Sequence, residues 1–480
     1  MKVIILTGLF LFLTSCTIPR DPVSVGEYPP IIPDYINVTI PQSIAPLHFM
    51  ANDGARVRAS FSGKHMRFTS RGSRTVRIPR GKWRKLLSVE DSVKVTVFIR
   101  EDRKWHRYDS FTLTVSRDQI DPFLCYRKVA PGYESFGSMG IYQRELGGFR
   151  EYPVVENTIE TNSCVNCHAF ASGDPELFQF HIRGPGGGTI LKTGSQITHI
   201  ENKIPETISA CVYPYWHPWG SHIAYSVNNI MQWFHNVPGK IIDVFDTRSD
   251  VVIYHTATGK LHLFDQLCDS TLLETFPSFS ADGKTLFFTA APARPVNSIA
   301  TLDSIQYALY RIPFDPLSNT MGQAPERICP DSDSAGFSVS LPRPSPDGRF
   351  LMFTRSAFGN FTIWHPDADL WLMDLESLRA REATGLNSPD AESYHSWSSS
   401  SRWVVFSSRR DDGRYTRLYL SHMDQSGTFS KPFILPQRNP RSDPRLMQFY
   451  NIPEFIKAKI SFRPRDIHRA DHVKATGWKH

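Results

Sequence analysis

The sequence predicts an all-β protein: an N-terminal β-sandwich-like domain followed by a β-propeller. Three observations lead there. The 480 residues include 35 Pro, 29 Gly, 32 Phe, 17 Tyr and 10 Trp, which suits many short strands joined by punctuated turns. Residues 36–120 alternate apolar and polar side chains, as in KVTVFIR and FTLTVSR, the period of half-buried strands. In the second half one turn-and-strand unit recurs: YWHPWGSHIAYSV from Tyr215, FPSFSADGKTLFFTA from Phe276, PRPSPDGRFLMFTRS from Pro342 and HSWSSSSRWVVFSSRR from His395.

The N-terminus, MKVIILTGLFLFLTSC, places Lys2 before an apolar run from Val3 to Leu13 and small residues before Cys16. That run is short for a bilayer span, so residues 1–15 read as a signal peptide. LTSC resembles a bacterial lipobox. The resemblance implies a diacylated Cys16 as first mature residue, with the protein held in a Gram-negative cell envelope, at the outer membrane, facing periplasm or surface. More than one acyl chain makes such an anchor lasting. The Pro-rich residues 16–35 then form a stiff tether.

Residues 36–120 suggest an immunoglobulin-like or fibronectin-like sandwich. Between residues 51 and 110 there are 16 Lys or Arg against 6 Asp or Glu, within a chain of net charge +7. Such a field can steer acidic envelope partners, although a solvated basic face explains it as well. Base-stacking aromatics in a nucleic-acid-binding pattern are not evident.

Residues 121–163 have mixed patterning and read as a connector, and residues 164–440 as the propeller. Successive copies of the turn-and-strand unit lie about 50 to 65 residues apart, with further strands such as ALYRIPFD, ADLWLMDL and TRLYLSHM between them. One turn-strand signature plus two or three more strands is a propeller blade. A degenerate fifth copy, CHAFASGDPELFQFHIR, begins the series. Five to seven blades are expected, six preferred, the sixth closed by the connector or by residues 430–460; residues 441–480 read as a tail. SADGKTLFF and SPDGRFLMF resemble the WD-like repeat of TolB-type propellers.

TNSCVNCHAF, residues 161–170, holds a C-x-x-C-H, which this reading puts in a loop before the innermost strand of the first blade. Two thiols three residues apart can form thioethers with haem vinyl groups, and the next histidine can reach the iron. Cys164, Cys167 and His168 are therefore expected to carry one covalent haem c, with His168 as proximal iron ligand. His181 and Met139 are candidates for the sixth position, with His217, His235 and Met231 weaker ones. Zinc would want a second C-x-x-C or paired histidines, and thioredoxin-like chemistry a βαβ context. Cys125, Cys211, Cys268 and Cys329 could pair or stay as buried thiols.

From YRKVAPGYESFGSMGIYQREL through CVNCHAF to ESYHSWSSSSRWVVFSSRRDDGRYTRLYL, about residues 121–460, the chain is similar to exported Bacteroidetes-type TolB-like propeller proteins with one C-x-x-C-H. Such proteins are commonly labelled "cytochrome c biosynthesis protein". Two functions follow from the site and this resemblance: electron transfer or redox sensing with a protein partner, or a protein-binding envelope scaffold with a structural haem. A hydrolase is disfavoured, since no G-x-S-x-G occurs and about 40 residues follow the last blade. A non-catalytic carrier or scaffold is the expectation.

Overall fold

A computed structural model describes residues 18–479, apart from 53, 132–136, 160–162, 185, 238–239, 329–335 and 441–446. Cys16, Cys329 and the apolar N-terminal run thus lie outside the described residues. Among those described, no helix is long and apolar enough to cross a membrane. The chain divides into two compact units, residues 1–37, 46–115 and 437–441 in one and the remainder in the other.

The first unit has a larger and a smaller sheet. In the larger, Arg56–Ser62 pairs with Arg67–Arg71 and with Ser92–Glu101, which continues to Lys104–Arg107. The smaller is three-stranded: Ile31–Ile32, Phe49–Ala51 and Thr75–Val76. A helix, Arg80–Val89, buries Trp83, Leu86 and Leu87. Strand alternation did not anticipate it, although this i, i+3, i+4 spacing is a helical signature.

In the second unit six consecutive four-stranded antiparallel sheets form a ring. Blade 1 runs from its inner strand Cys164–Phe170 outward through Leu177–Arg183, Gly188–Thr193 and Gln196–Glu201. The inner strands of blades 2 to 5 are Val212–Trp216, Leu272–Phe279, Ser338–Pro344 and Glu392–Trp397. Blade 6 is built from both ends of this unit: Phe449–Ile456 is innermost, and Phe123–Val129, Met139–Glu145 and Glu151–Glu156 complete it. Each inner strand contacts the next, and blade 6 contacts blade 1, so the cycle is closed. Closure leaves no unpaired sheet flank between first and last blades.

Two expectations change. The connector at 121–163 supplies the three outer strands of blade 6, and the tail supplies its inner strand. Tail residues also extend two blades outward, Asp471–Lys474 along Gln196–Glu201 and Thr476–Lys479 along Lys260–Leu263. The second change concerns C-x-x-C-H, which lies inside the inner strand of blade 1, every residue of it buried. The residues behind it explain why: Phe170, Phe178, Phe180 and Ile182 pack with Ile141, Val155 and Ile456 of blade 6, and burying such side chains contributes about 1.5–3 kcal/mol each.

Candidate functional site

All six inner strands break register at the same place. One non-glycine residue in each takes a positive φ: Cys167 (51°), Tyr213 (49°), Phe276 (50°), Leu341 (55°), Tyr394 (48°) and Ile452 (50°). Each sits at a β-bulge in the ladder to its neighbour. Such a residue is costly in isolation and persists when its surroundings fix it. The residue after the bulge is His168, Pro214, Pro277, Pro342, His395 or Pro453. Proline is accepted because an inner strand is an edge facing the axis, where a missing N–H breaks no ladder bond. CHAF is therefore one member of a series with YPYW, FPSF, LPRP, YHSW and IPEF.

Two positions after the bulge stand Ala169, Tyr215, Ser278, Arg343, Ser396 and Glu454, and three after it a mostly aromatic set. The tryptophans of that set stitch neighbouring blades: Trp216 Nε1 donates to Ala169 O (3.1 Å) and Trp397 Nε1 to Arg343 O (3.0 Å). These residues enclose an axial cavity of about 360 Å³, lined among others by His168, Tyr215, Arg343, Tyr394 and Glu454. On one side the axis is covered by a long hairpin of blade 2, His222–Val237 with Lys240–His255. Its Ile242 and Val244 pack on Tyr213, Phe276, Leu341 and Tyr394, bulge residues of four blades. The hairpin is pinned by buried Asp246, which accepts from Asn228 (2.6 Å), Asn360 (2.6 Å) and Tyr307 (3.4 Å). Burial raises the Asp246 carboxyl to about 6. At its other end the cavity reaches the turns that follow the inner strands, at Gly173, Pro218, Ala281 and Ser399.

His168 is 2 % exposed. Its ring lies 3.7 Å from Glu454 Oε1 and makes a weak backbone hydrogen bond at Ile452, and neither nitrogen has a partner at good hydrogen-bond geometry among the described residues. Burial, reinforced by Arg127, lowers its pKa to about 3, so the ring is neutral and a lone pair is available. Burial likewise lifts Glu454, to about 8. Cys164 and Cys167 are both buried thiols without a disulfide, and burial pushes Cys167 upward. At the strand's start, Arg127 of blade 6 donates through Nε to Val165 O (3.0 Å) and through Nη2 to Cys164 Sγ (3.3 Å) and Met139 Sδ (3.4 Å).

The other candidates are distributed as follows. Met139 reaches the Cys164 end through Arg127. His181 pairs in register with Asn166, but its Nδ1 is 3.0 Å from Thr189 Oγ1, itself bonded by Asn202; it does not line the axial cavity. His217 is bonded to Gly283 O (3.1 Å), and His235 to Asp243 (2.7 Å) on the hairpin, where Met231 is exposed. Cys125, Cys211 and Cys268 are free thiols, raised by burial. Sequence reasoning missed Arg343 and Glu454, which aligning the six bulge motifs would have brought to the same repeat position.

The residues present fit a c-type haem in three respects: neither cysteine is paired in a disulfide, they stand three apart on one strand, and the histidine beside them is neutral with at most a weak backbone hydrogen bond. Buried polar atoms of this kind ordinarily have a partner.

Neither a family model nor a curated protein matches the chain. Solved structures with a similar fold include Kuenenia stuttgartiensis hydrazine synthase (11 % identity, 72 % of this chain and 48 % of that one, TM-score 0.45). The β-propeller domain of the Trilobed protease from Pyrococcus furiosus is another (12 %, 73 % and 95 %, TM-score 0.34). A third is an oligogalacturonate lyase solved with manganese (12 %, 64 % and 84 %, TM-score 0.33). The chain thus spans about half the length of the hydrazine synthase chain it matches. These likenesses concern the fold.

Proposed function

We propose that this chain is an envelope lipoprotein carrying one covalent haem c on its propeller, acting in electron transfer or redox sensing with a protein partner. The observation that carries the reading is His168, buried, neutral and with no well-formed hydrogen bond beyond a weak backbone one at Ile452, beside two cysteines that are not paired in a disulfide. Cys164 and Cys167 would hold the group and His168 would be its axial ligand; when bound, it supplies reversible one-electron chemistry. The chain's own contribution is positional. The bulge at Cys167 fixes where His168 stands, the blade 6 contacts exclude water from it, and Arg127 orients the Cys164 thiol. Lipid at Cys16 would keep the propeller at the membrane.

A second reading is a protein-binding propeller in which CHAF serves as a structural repeat, favoured by its register with the five other bulge motifs. One experiment separates the two. Full-length protein from a host able to attach haem is denatured, run on a gel and stained for haem peroxidase activity. Stain that survives denaturation and disappears in the Cys164→Ala, Cys167→Ala double variant supports covalent haem. An unstained wild-type band would refute it.

A further inference from the structure

Arg343 is the one cation among the inner-strand positions that line the axial cavity, and it is oddly placed for a structural arginine. It stands two residues past the bulge of blade 4 and reaches across the small Ser278 position of blade 3. There its guanidinium carbon lies 4.9 Å from the centre of the Tyr215 ring of blade 2. Its guanidinium makes no direct hydrogen bond or ion pair among the described residues, although it is only partly exposed, and it feels the charge of Glu454 across the cavity. Neither of the two carboxylates that line the same cavity bonds it directly. Asp121 accepts from the Ser399 N–H and hydroxyl, each at 2.7 Å, and Glu454 turns Oε1 to His168 at 3.7 Å. A planar guanidinium stacked on an aromatic face keeps its donors fixed in a fork, the geometry that recognises a carboxylate through two parallel hydrogen bonds. Pro214 and Pro453 lack N–H groups and Trp397 Nε1 is spent on Arg343 O, while Lys457 is the other cation of the lining. The rings of Tyr213, Tyr215 and Tyr394 stand among prolines and serines, and the cavity of about 360 Å³ falls at the lower end of the range for small-ligand sites.

We infer that the axial cavity is a binding site for a small aromatic or apolar carboxylate, anchored by Arg343 and stacked among the channel tyrosines. The carboxylate has two possible sources, a free acid or a propionate of haem attached at Cys164 and Cys167, and the experiment distinguishes them. Full-length wild-type protein made in a host without haem-attachment machinery, and therefore haem-free, is titrated by calorimetry with benzoate and 3-phenylpropionate and with the corresponding amides. The acids should bind, and the amides should bind roughly 10–100-fold more weakly, the worth of a charge-assisted pair. Arg343→Gln should abolish the difference between acid and amide, whereas Arg343→Lys, which keeps the charge but not the fork, should retain part of it. Failure of every acid to bind, or equal binding of acid and amide to the parent protein, overturns the site without any variant having to fold. Repeating the titration on haem-loaded protein assigns the source: retained binding means a separate ligand, and lost binding means that haem's own propionate occupies Arg343. Because the first titration uses haem-free protein, its outcome is independent of the haem-stain result.

Discussion

Replacing His168 by leucine should stabilise the haem-free protein, and the same change at His395, its counterpart in blade 5, should destabilise it. His168 and His395 both follow a bulge residue, and both are buried. They differ in what their rings do. His395 Nε2 bonds Met352 O at 3.0 Å, while His168 has only a weak backbone contact at Ile452 and no well-formed hydrogen bond on either nitrogen. A buried polar group left unmade costs about 1–3 kcal/mol, so His168→Leu removes that penalty, and His395→Leu creates a comparable one at the abandoned Met352 carbonyl. For domains of roughly 150–250 residues 1 kcal/mol moves the midpoint by about 2–4 °C, and by less in a larger one. The two variants should therefore shift the propeller's thermal midpoint by a few degrees in opposite directions. Differential scanning calorimetry of the variants in a haem-free host reads this directly. If His168→Leu lowers the midpoint as much as His395→Leu, the ring is satisfied in the native protein, and the reasoning that ties His168 to an absent partner fails.

Glu274 offers a pH test. It is 1 % exposed, and burial raises its carboxyl from 4.5 to about 8. The folded state therefore holds a proton that the unfolded chain has lost, and stability contributed by the neutral form is present below about pH 4.5 and lost as pH rises toward 8, each pKa unit being worth about 1.4 kcal/mol. Buried His168, His181 and His395, lowered to about 3, oppose this below pH 6.5, so the decline should be clearest between pH 6.5 and 8. Glu454, likewise raised to about 8, adds to the decline, so Glu274→Gln should remove roughly half of it, as urea unfolding at several pH values would reveal. The tail provides a further contrast. Ending the chain before Asp471 removes two exposed outer strands and one small buried side chain, Ala475, and should leave the main unfolding transition nearly in place. Ending it before Phe449 removes the inner strand of blade 6, and with it the buried Phe455 and Ile456, and should abolish cooperative unfolding by circular dichroism.

Blades 2 to 5 were legible because each carries a polar turn followed by a continuous apolar strand. In blades 3 and 4 the turn is explicit in SADG and SPDG, and Gly283 and Gly348 there take φ of +75° and +73°, a region open to glycine at little cost. The sequence offers either the connector or residues 430–460 to close a sixth blade; that both build it together is hidden, because its inner strand YNIPEFIKAKI has no such turn and its outer strands lie over 290 residues earlier, and local patterning carries no information about a pairing that distant. C-x-x-C-H was conspicuous as chemistry but misplaced as structure. Its register depends on the bulge, and the bulge shows only when IPEF, LPRP and YHSW are set beside CHAF. Arg343 was invisible for a related reason: one arginine in a basic chain is unremarkable until the ring brings it opposite Tyr215.

Blade 6 also sets an order of events. Its inner strand, Phe449–Ile456, is synthesised long after Cys164–Phe170. Domains acquire their packing as their parts become available, and the ring cannot seal until that late strand arrives. During this interval the thiols of Cys164 and Cys167 remain open to modifying enzymes that could not reach them afterwards. Strand order along the polypeptide would then act as a timer, giving haem attachment its opportunity before the fold closes over the site.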